Sequence, residues 1–165
     1  MRNKEHIDAF RTEALMILRF QLAFDRIKEF KKFKTQSRSE FSDQLISLKT
    51  IENDLVMRIC KFDDKGRNTH CFKNLDLSIC ENNKKIKDEI SKFSDLIQNI
   101  KQDRRHNQLA HLKKGSEDNQ YEPKYNLKPA IRLIIEIIDL VNITPINYEW
   151  SDGSYEKYDL KKEVL

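Results

Sequence analysis

The sequence predicts an all-α protein: an up-and-down bundle of four main long helices, with a short helical connector and a small C-terminal β-hairpin. The 165 residues include only three glycines and three prolines, the residues that interrupt helices most strongly. Apolar residues make up 38% of the chain and charged residues 35%, which is typical of helices with one buried and one solvated face. The length suits a single domain over residues 1–165.

The first two helices are predicted from apolar residues that recur at steps of three and four. Helix one covers about residues 4–34 and helix two about residues 40–62. Ser37 or Ser39 is suited to cap helix two, and Gly66 is expected to end it in a left-handed conformation. The apolar positions of the two helices are Phe10, Ile17, Phe20, Phe24, Ile27, Phe30, Phe41, Leu45, Leu48, Ile51, Leu55, Ile59 and Phe62.

Helix three is predicted over about residues 83–113, after a connector at residues 67–82 that we expect to form one or two short helical turns. Its apolar positions continue, at the same spacing, into three polar residues. The full series is Ile86, Ile90, Phe93, Ile97, Ile100, Arg104, Asn107 and His111. The polar members therefore share the face that should turn inward or line a cleft.

Helix four is predicted over about residues 127–142, with Pro129 in its first turn. Because it is aliphatic on nearly every side, we expect it to lie at the centre of the bundle or under a second subunit. The tail at about residues 146–159 alternates aromatic and polar residues around a turn at Gly153. This pattern predicts a β-hairpin in which Tyr148 and Trp150 face Tyr155 and Tyr158.

Charge and cysteine content narrow the class of protein. The net charge of +4 permits contact with nucleic acid without requiring it. Cys60, Cys71 and Cys80 are odd in number and irregularly spaced, which favours reduced thiols in a cytoplasmic protein. We expect no signal peptide and no membrane segment, since the most apolar run, residues 131–141, is short and contains charges.

The polar residues near the end of helix three suit chemistry on a phosphate. Arginine presents a planar fork that matches phosphate oxygens, and histidine exchanges protons near neutral pH. Arg104, Arg105, His106, Asn107 and His111 lie together in this stretch. A base and a cation are sufficient to cut RNA without a metal or another cofactor. The same residues also suit the end of a helix, whose dipole favours cations there, and then need no further role.

The segment Arg105-His106-Asn107-Gln108-Leu109-Ala110-His111 resembles the motif of the HEPN superfamily. That motif is an arginine, commonly followed by a polar residue, with four to six residues before a histidine. Here five residues separate Arg105 from His111, and Ala-His closes the motif. Residues 53–63 and the connector after them resemble the second-helix pattern of an abortive-infection (AbiU-type) branch. The resemblance covers about residues 5–142 and does not extend to the hairpin.

This resemblance implies a HEPN-like domain that acts as a metal-independent endoribonuclease of toxin or phage-defence type. Two motifs would meet across a homodimer interface and form one cleft for RNA, either tRNA or mRNA, and a cognate antitoxin is a possible partner. Arg105 and His111 match the catalytic pair, and His106 matches the polar residue after the arginine. Arg104 and Asn107 would support catalysis or bind RNA.

Several alternatives remain open from the sequence. Family alignment favours Arg105 as the principal arginine, whereas ideal helix geometry favours Arg104, on the face of His111. The protein could instead be a non-catalytic helical dimer that binds RNA or another protein, or a purely structural bundle.

Three further groups of residues have both a plain and a functional interpretation. His70 and the cysteines fit no compact zinc-ligand spacing. Asp54 and Arg58 form an i,i+4 pair that we interpret as a surface ion pair; with Asp63, they could alternatively support His111. The aromatic hairpin is expected to pack on the bundle or on a partner subunit, with stacking on RNA bases as the alternative.

Overall fold

In its described residues, the computed structural model of the chain contains five helices, two 3-10 turns and one two-stranded sheet. It describes residues 2–28, 37–64, 66, 69–103, 125–142, 146–151, 153 and 157–165. In chain order the elements are α1 (Arg2–Lys28), α2 (Arg38–Lys61), 3-10 turns at Phe72–Asn74 and Leu77–Ile79, α3 (Asn83–Asp103), α4 (Lys128–Val141), β1 (Glu149–Ser151), β2 (Lys157–Asp159) and α5 (Leu160–Val164). The predicted all-α bundle with a C-terminal hairpin is confirmed.

Helix boundaries agree with the prediction to within about two residues wherever the described ranges allow a comparison. Residues 29–34 of predicted helix one and 104–113 of predicted helix three lie outside those ranges. The short helix α5 was not predicted. Its five residues are too few to show a helical period, and it begins where the Asp159 side chain accepts a hydrogen bond from the backbone N–H of Lys162.

The two ends of α2 show one correct and one wrong prediction. Ser37 caps the helix, and its hydroxyl and the Glu40 carboxylate form a reciprocal capping box. At the other end Gly66 is not a left-handed stop, since Gly153, with φ of 92°, is the only described residue with a positive φ. A Cβ on Gly66 would lie 2.7 Å from Thr69 Cγ2, so a side chain here would displace Thr69, and glycine is favoured for space rather than for its backbone conformation.

Helix α4 is central, which is the first of the two predicted alternatives. It packs against α1 and α3, with Pro129 in its first turn as predicted. Its buried side chains are Ala130, Ile131, Ile134, Ile135, Ile137, Ile138 and Val141. Because other parts of the same chain cover these residues, the aliphatic surface of α4 does not require a second subunit.

Four phenylalanine rings join both long N-terminal helices to the connector and α3. Phe72, in the first 3-10 turn, lies at the centre of this phenyl cluster. Its ring centroid is 5.2 Å from that of Phe10, 4.9 Å from that of Phe62 and 5.6 Å from that of Phe93. All four residues are at most 2% exposed. The connector is therefore part of the core, and its two short turns agree with the prediction.

The hairpin packs on α1. Trp150 pairs with Tyr158 across the two antiparallel strands, as predicted, and Tyr155 lies outside the described residues. The guanidinium carbon of Arg19 lies 4.4 Å from the Trp150 ring centroid, and that of Arg26 lies 5.7 Å from the Tyr158 centroid. Such cation–π contacts are stabilising. They confirm the packing interpretation for these two rings and place an arginine against each.

Candidate active site

The predicted site residues Arg104, Arg105, His106, Asn107 and His111 all lie outside the described residues. The structure describes the helix that precedes them, α3, as far as Asp103. It also describes the elements packed against that helix. The part of the site that the structure shows is therefore α3 up to Asp103, together with the elements that pack on it.

The face of α3 that carries the predicted apolar series is directed into the bundle. Ile86, Phe93, Ile97 and Ile100 are buried, and Ile90 is partly buried against the core. The helix packs mainly on α4 and also contacts α2. The predicted spacing is thus confirmed from Ile86 to Ile100, the part of the series that lies within the described residues.

A buried carboxylate binds α3 close to its last described turn. Asp63 directly follows the end of α2 and is 6% exposed. Its carboxylate accepts hydrogen bonds from Lys101 Nζ at 2.5 Å and from Ser94 Oγ at 2.6 Å, both on α3. It also forms an ion pair of 2.7 Å with Lys73 Nζ of the connector. The Asp63 network therefore joins α2, the connector and α3. Its member Lys101 lies four residues before Arg105 in the sequence.

The Asp63 network holds its carboxylate ionised. Burial alone would raise the pKa of Asp63, but the hydrogen bonds from Lys101, Lys73 and Ser94 outweigh it and lower the pKa from 3.8 to about 2. Lys101 Nζ also donates to the Asp63 backbone carbonyl at 2.8 Å. The ammonium of Lys101 therefore bonds to two acceptors of one residue, which fixes the separation of the α2 end from α3.

The Asp63 carboxyl should make the free energy of unfolding decrease at acid pH. Its pKa is lower in the folded than in the unfolded chain, so its contribution is complete above about pH 4 and is lost as the pH falls toward about 2. The loss amounts to about 2 kcal/mol of unfolding free energy. Urea unfolding at about pH 5 and about pH 2 measures it. The Asp63→Asn variant should lack this part of the pH dependence, and an identical pH dependence in both proteins would contradict the assignment.

The ion pair between Arg58 and Asp54 exists, but the prediction that it belongs to the surface alone is wrong. Arg58 Nε donates to Asp54 Oδ2 at 2.5 Å, and Arg58 Nη1 donates to Glu13 Oε1 of α1 at 2.8 Å. The guanidinium carbon also lies 5.1 Å from the Phe20 ring centroid, and the Arg58 side chain is only 19% exposed. Arg58 therefore connects α2 to α1, because its fork reaches two carboxylates at once.

The cysteines form no metal centre within the described part of the chain. Cys60 and Cys71 are buried and Cys80 is partly buried, and all three are free thiols. Across the described ranges no group of three or more histidine, cysteine, aspartate or glutamate side chains is arranged to hold a metal ion. His70 contacts His6 instead, through a pair of ring nitrogens.

Two long-range contacts were not predicted from the sequence: the partners of Asp63, and the approach of His70 to His6. Asp63 was singled out, but Ser94 and Lys101 lie 31 and 38 positions further along the chain. No short spacing signals such a contact. An aspartate just after a helix C-terminus, where the helix dipole disfavours a negative charge, was the one available sign that it has a distant partner.

Comparison with known proteins does not assign the chain to a family, since no family model, no curated protein and no solved structure matches it. Among the described helices, none combines the length and the apolar character needed to cross a bilayer. The described residues thus define an all-α bundle, and in the sequence Arg104 and the Arg105–His111 motif follow directly after Asp103, the last described residue of α3.

Proposed function

We propose that this protein is a metal-independent endoribonuclease of toxin or phage-defence type that acts as a homodimer. The observation that supports the proposal is the Arg105–His111 motif, with its five intervening residues and its Ala-His ending. The motif follows a helix whose apolar face is directed into the bundle as far as Ile100. A bundle of long helices is also the architecture that the HEPN resemblance implies.

The proposed reaction needs one base and one cation. His111 takes the proton from a ribose 2′-hydroxyl, and the 2′-oxygen attacks the adjacent phosphorus. Arg105 stabilises the negative charge that builds on the phosphate oxygens. The bond to the 5′-oxygen breaks, the leaving 5′-oxygen takes a proton from water, and one fragment keeps a 2′,3′-cyclic phosphate. Arg104, His106 and Asn107 supply further contacts to the RNA backbone.

Catalysis by positioned side chains benefits from a rigid support. The Asp63 network provides one for α3, since Lys101 is bonded to Asp63 on a neighbouring element. This supports the proposal by showing an anchored helix before the motif. The homodimer and a cognate antitoxin follow from the HEPN resemblance alone, since the aliphatic residues of α4 are covered within the chain.

The test is incubation of purified protein with total tRNA and with a structured mRNA in the presence of EDTA. Wild type is compared with His111→Ala and with Gln98→Ala, an exposed change on α3 that should have no effect. We expect wild type and Gln98→Ala to cleave, with cyclic or 3′-phosphate ends, and His111→Ala to show no cleavage. Far-ultraviolet circular dichroism confirms that all three proteins are equally folded.

Failure of wild type to cut a broad panel of RNAs would refute the enzyme proposal. The alternative is a non-catalytic helical dimer that binds RNA or another protein. In that case Arg105→Ala should weaken RNA binding in a filter assay, although no cleavage occurs with any variant. Equal cleavage by wild type and His111→Ala would show that a different residue acts as the base.

A further inference from the structure

Two arginines of α1 lie against the two aromatic rings of the hairpin. The guanidinium carbon of Arg19 is 4.4 Å from the Trp150 ring centroid, and that of Arg26 is 5.7 Å from the Tyr158 ring centroid. The two ring centroids are 6.3 Å apart, because Trp150 and Tyr158 are opposite each other in the strand register. These four side chains form a row of guanidinium, indole, phenol and guanidinium, which we call the arginine–aromatic row.

Both sides of the row are held by regular structure. Arg19 and Arg26 are seven residues apart in the unbroken helix α1, so they lie within about 20° of one face and about 10 Å apart along the axis. The hairpin is attached to the core through Tyr148 and Leu160, which are both buried. The Leu160 N–H donates to the Tyr148 carbonyl at 3.1 Å. The backbone therefore fixes the spacing of the two guanidinium groups.

The two arginines keep their charge available to a partner. Both are exposed, and within the described part of the chain neither forms an ion pair. Arg19 Nη1 has one weak contact, 3.9 Å long, to the Met16 sulfur. Arg58 is different, because its fork binds two carboxylates. A cation–π contact uses the flat face of a guanidinium and leaves the N–H groups at its edge able to bind an anion.

Fixed guanidinium groups beside aromatic rings match the chemistry of a single-stranded nucleic acid. Its phosphates pair with guanidinium forks, and its unpaired bases contact aromatic side chains. An acidic protein would supply carboxylates but no flat bases for the rings of Trp150 and Tyr158, which are both partly exposed. We propose that the arginine–aromatic row is a binding surface for single-stranded RNA, in which Arg19 and Arg26 bind phosphates and a base contacts Trp150.

This surface is separate in the chain from the Arg105–His111 motif, since its residues belong to α1 and the hairpin. It therefore contributes to the affinity for a strand and not to the chemical step. The choice of RNA over DNA rests on the proposed function, whereas the contacts to phosphates and bases require no cleavage. Binding can accordingly be measured with a strand that the proposed reaction cannot cut.

The experiment measures the binding of a short, fluorescein-labelled, single-stranded 2′-O-methyl RNA by fluorescence anisotropy. Wild type is compared with Arg19→Gln/Arg26→Gln and with Lys84→Gln/Lys85→Gln, which removes the same charge from exposed positions of α3. We expect the lysine variant to bind like wild type and the arginine variant to bind at least tenfold more weakly. The slope of log affinity against log salt should be smaller by about 1.4 for the arginine variant, since each phosphate contact to a single strand contributes about 0.7.

The same comparison in an Arg105→Ala background separates this surface from the motif. Because independent sites contribute additively, the arginine double variant should lose the same factor of affinity in both backgrounds. A protein that fails to cleave RNA would refute the proposed ribonuclease and leave this expectation unchanged. Equal affinities of the two double variants would overturn the proposal for the arginine–aromatic row.

A second measurement does not depend on how well the variants fold. Trp150 is the only tryptophan of the chain and lies against Arg19, so its fluorescence reports on this surface alone. Saturating wild type with the unlabelled strand should change the emission of Trp150. Unchanged emission would overturn the proposal. Displacement of the labelled strand by polyglutamate as readily as by the unlabelled RNA would also overturn it and would indicate an acidic protein as the partner.

Discussion

Replacement of Phe72 by alanine is expected to destabilise the protein by about 3–5 kcal/mol, the usual cost of removing a buried phenyl ring. Phe72 is 2% exposed, and its ring contacts those of Phe10, Phe62 and Phe93. Loss of the ring leaves a cavity between α1, the end of α2 and α3. These elements are packed against other parts of the core, so they cannot shift to fill the cavity without losing contacts there. Urea unfolding followed by circular dichroism measures the change.

Two control variants help to interpret the stability lost in Phe72→Ala. Phe41→Ala removes the same ring from a position that is 37% exposed, and should cost clearly less than Phe72→Ala because this ring is already partly in contact with water. Phe72→Leu retains most of the volume and should cost less than about 1.5 kcal/mol. Equal losses for Phe41→Ala and Phe72→Ala would show that the connector does not pack in the core in solution.

Substitution of Arg105 by alanine is expected to lower kcat for RNA cleavage by about 10²–10³-fold, the effect of removing one group that stabilises an oxyanion. Arg104→Ala should have a smaller effect, through KM, because we assign it a contact to the RNA backbone. The HEPN resemblance selects Arg105 as the catalytic residue. Single-turnover cleavage of the same tRNA by both variants separates binding from chemistry.

Ideal helix geometry predicts the larger loss of activity for Arg104→Ala instead, so the two variants distinguish between the two assignments. On an ideal helix Arg104 shares a face with His111, whereas Arg105 lies about 120° away. A larger loss for Arg104→Ala would therefore assign catalysis to Arg104. Arg105→Lys is the conservative control: it retains the charge but loses the planar fork, and only partial recovery is expected.

Apolar spacing in the sequence was sufficient to predict the four long helices, although not the short helix α5. The series from Ile86 to Ile100 is buried at the expected positions, since a helix that packs on a core must place apolar residues on one face. Local rules also identified the cap at Ser37. They failed at Gly66, because a close approach to Thr69, and not a left-handed backbone, explains that glycine.

Contacts between distant residues could not be predicted in the same way. The bond between Lys101 and Asp63 and the bond between Arg58 and Glu13 join positions 38 and 45 residues apart. A single sequence contains no period that links such positions. The candidate motif was found because its residues are close together in the chain, whereas the His6–His70 pair became visible only once the fold brought two separate segments together.

The phenyl cluster also determines how the chain can fold. Its four rings come from α1, the end of α2, the connector and α3, so the contacts are complete only when residues 10 to 93 have assembled. An isolated α1–α2 hairpin would leave two large rings without their central partner. The cluster therefore couples the N-terminal helices to the connector and α3, and unfolding of the bundle should be a single cooperative transition.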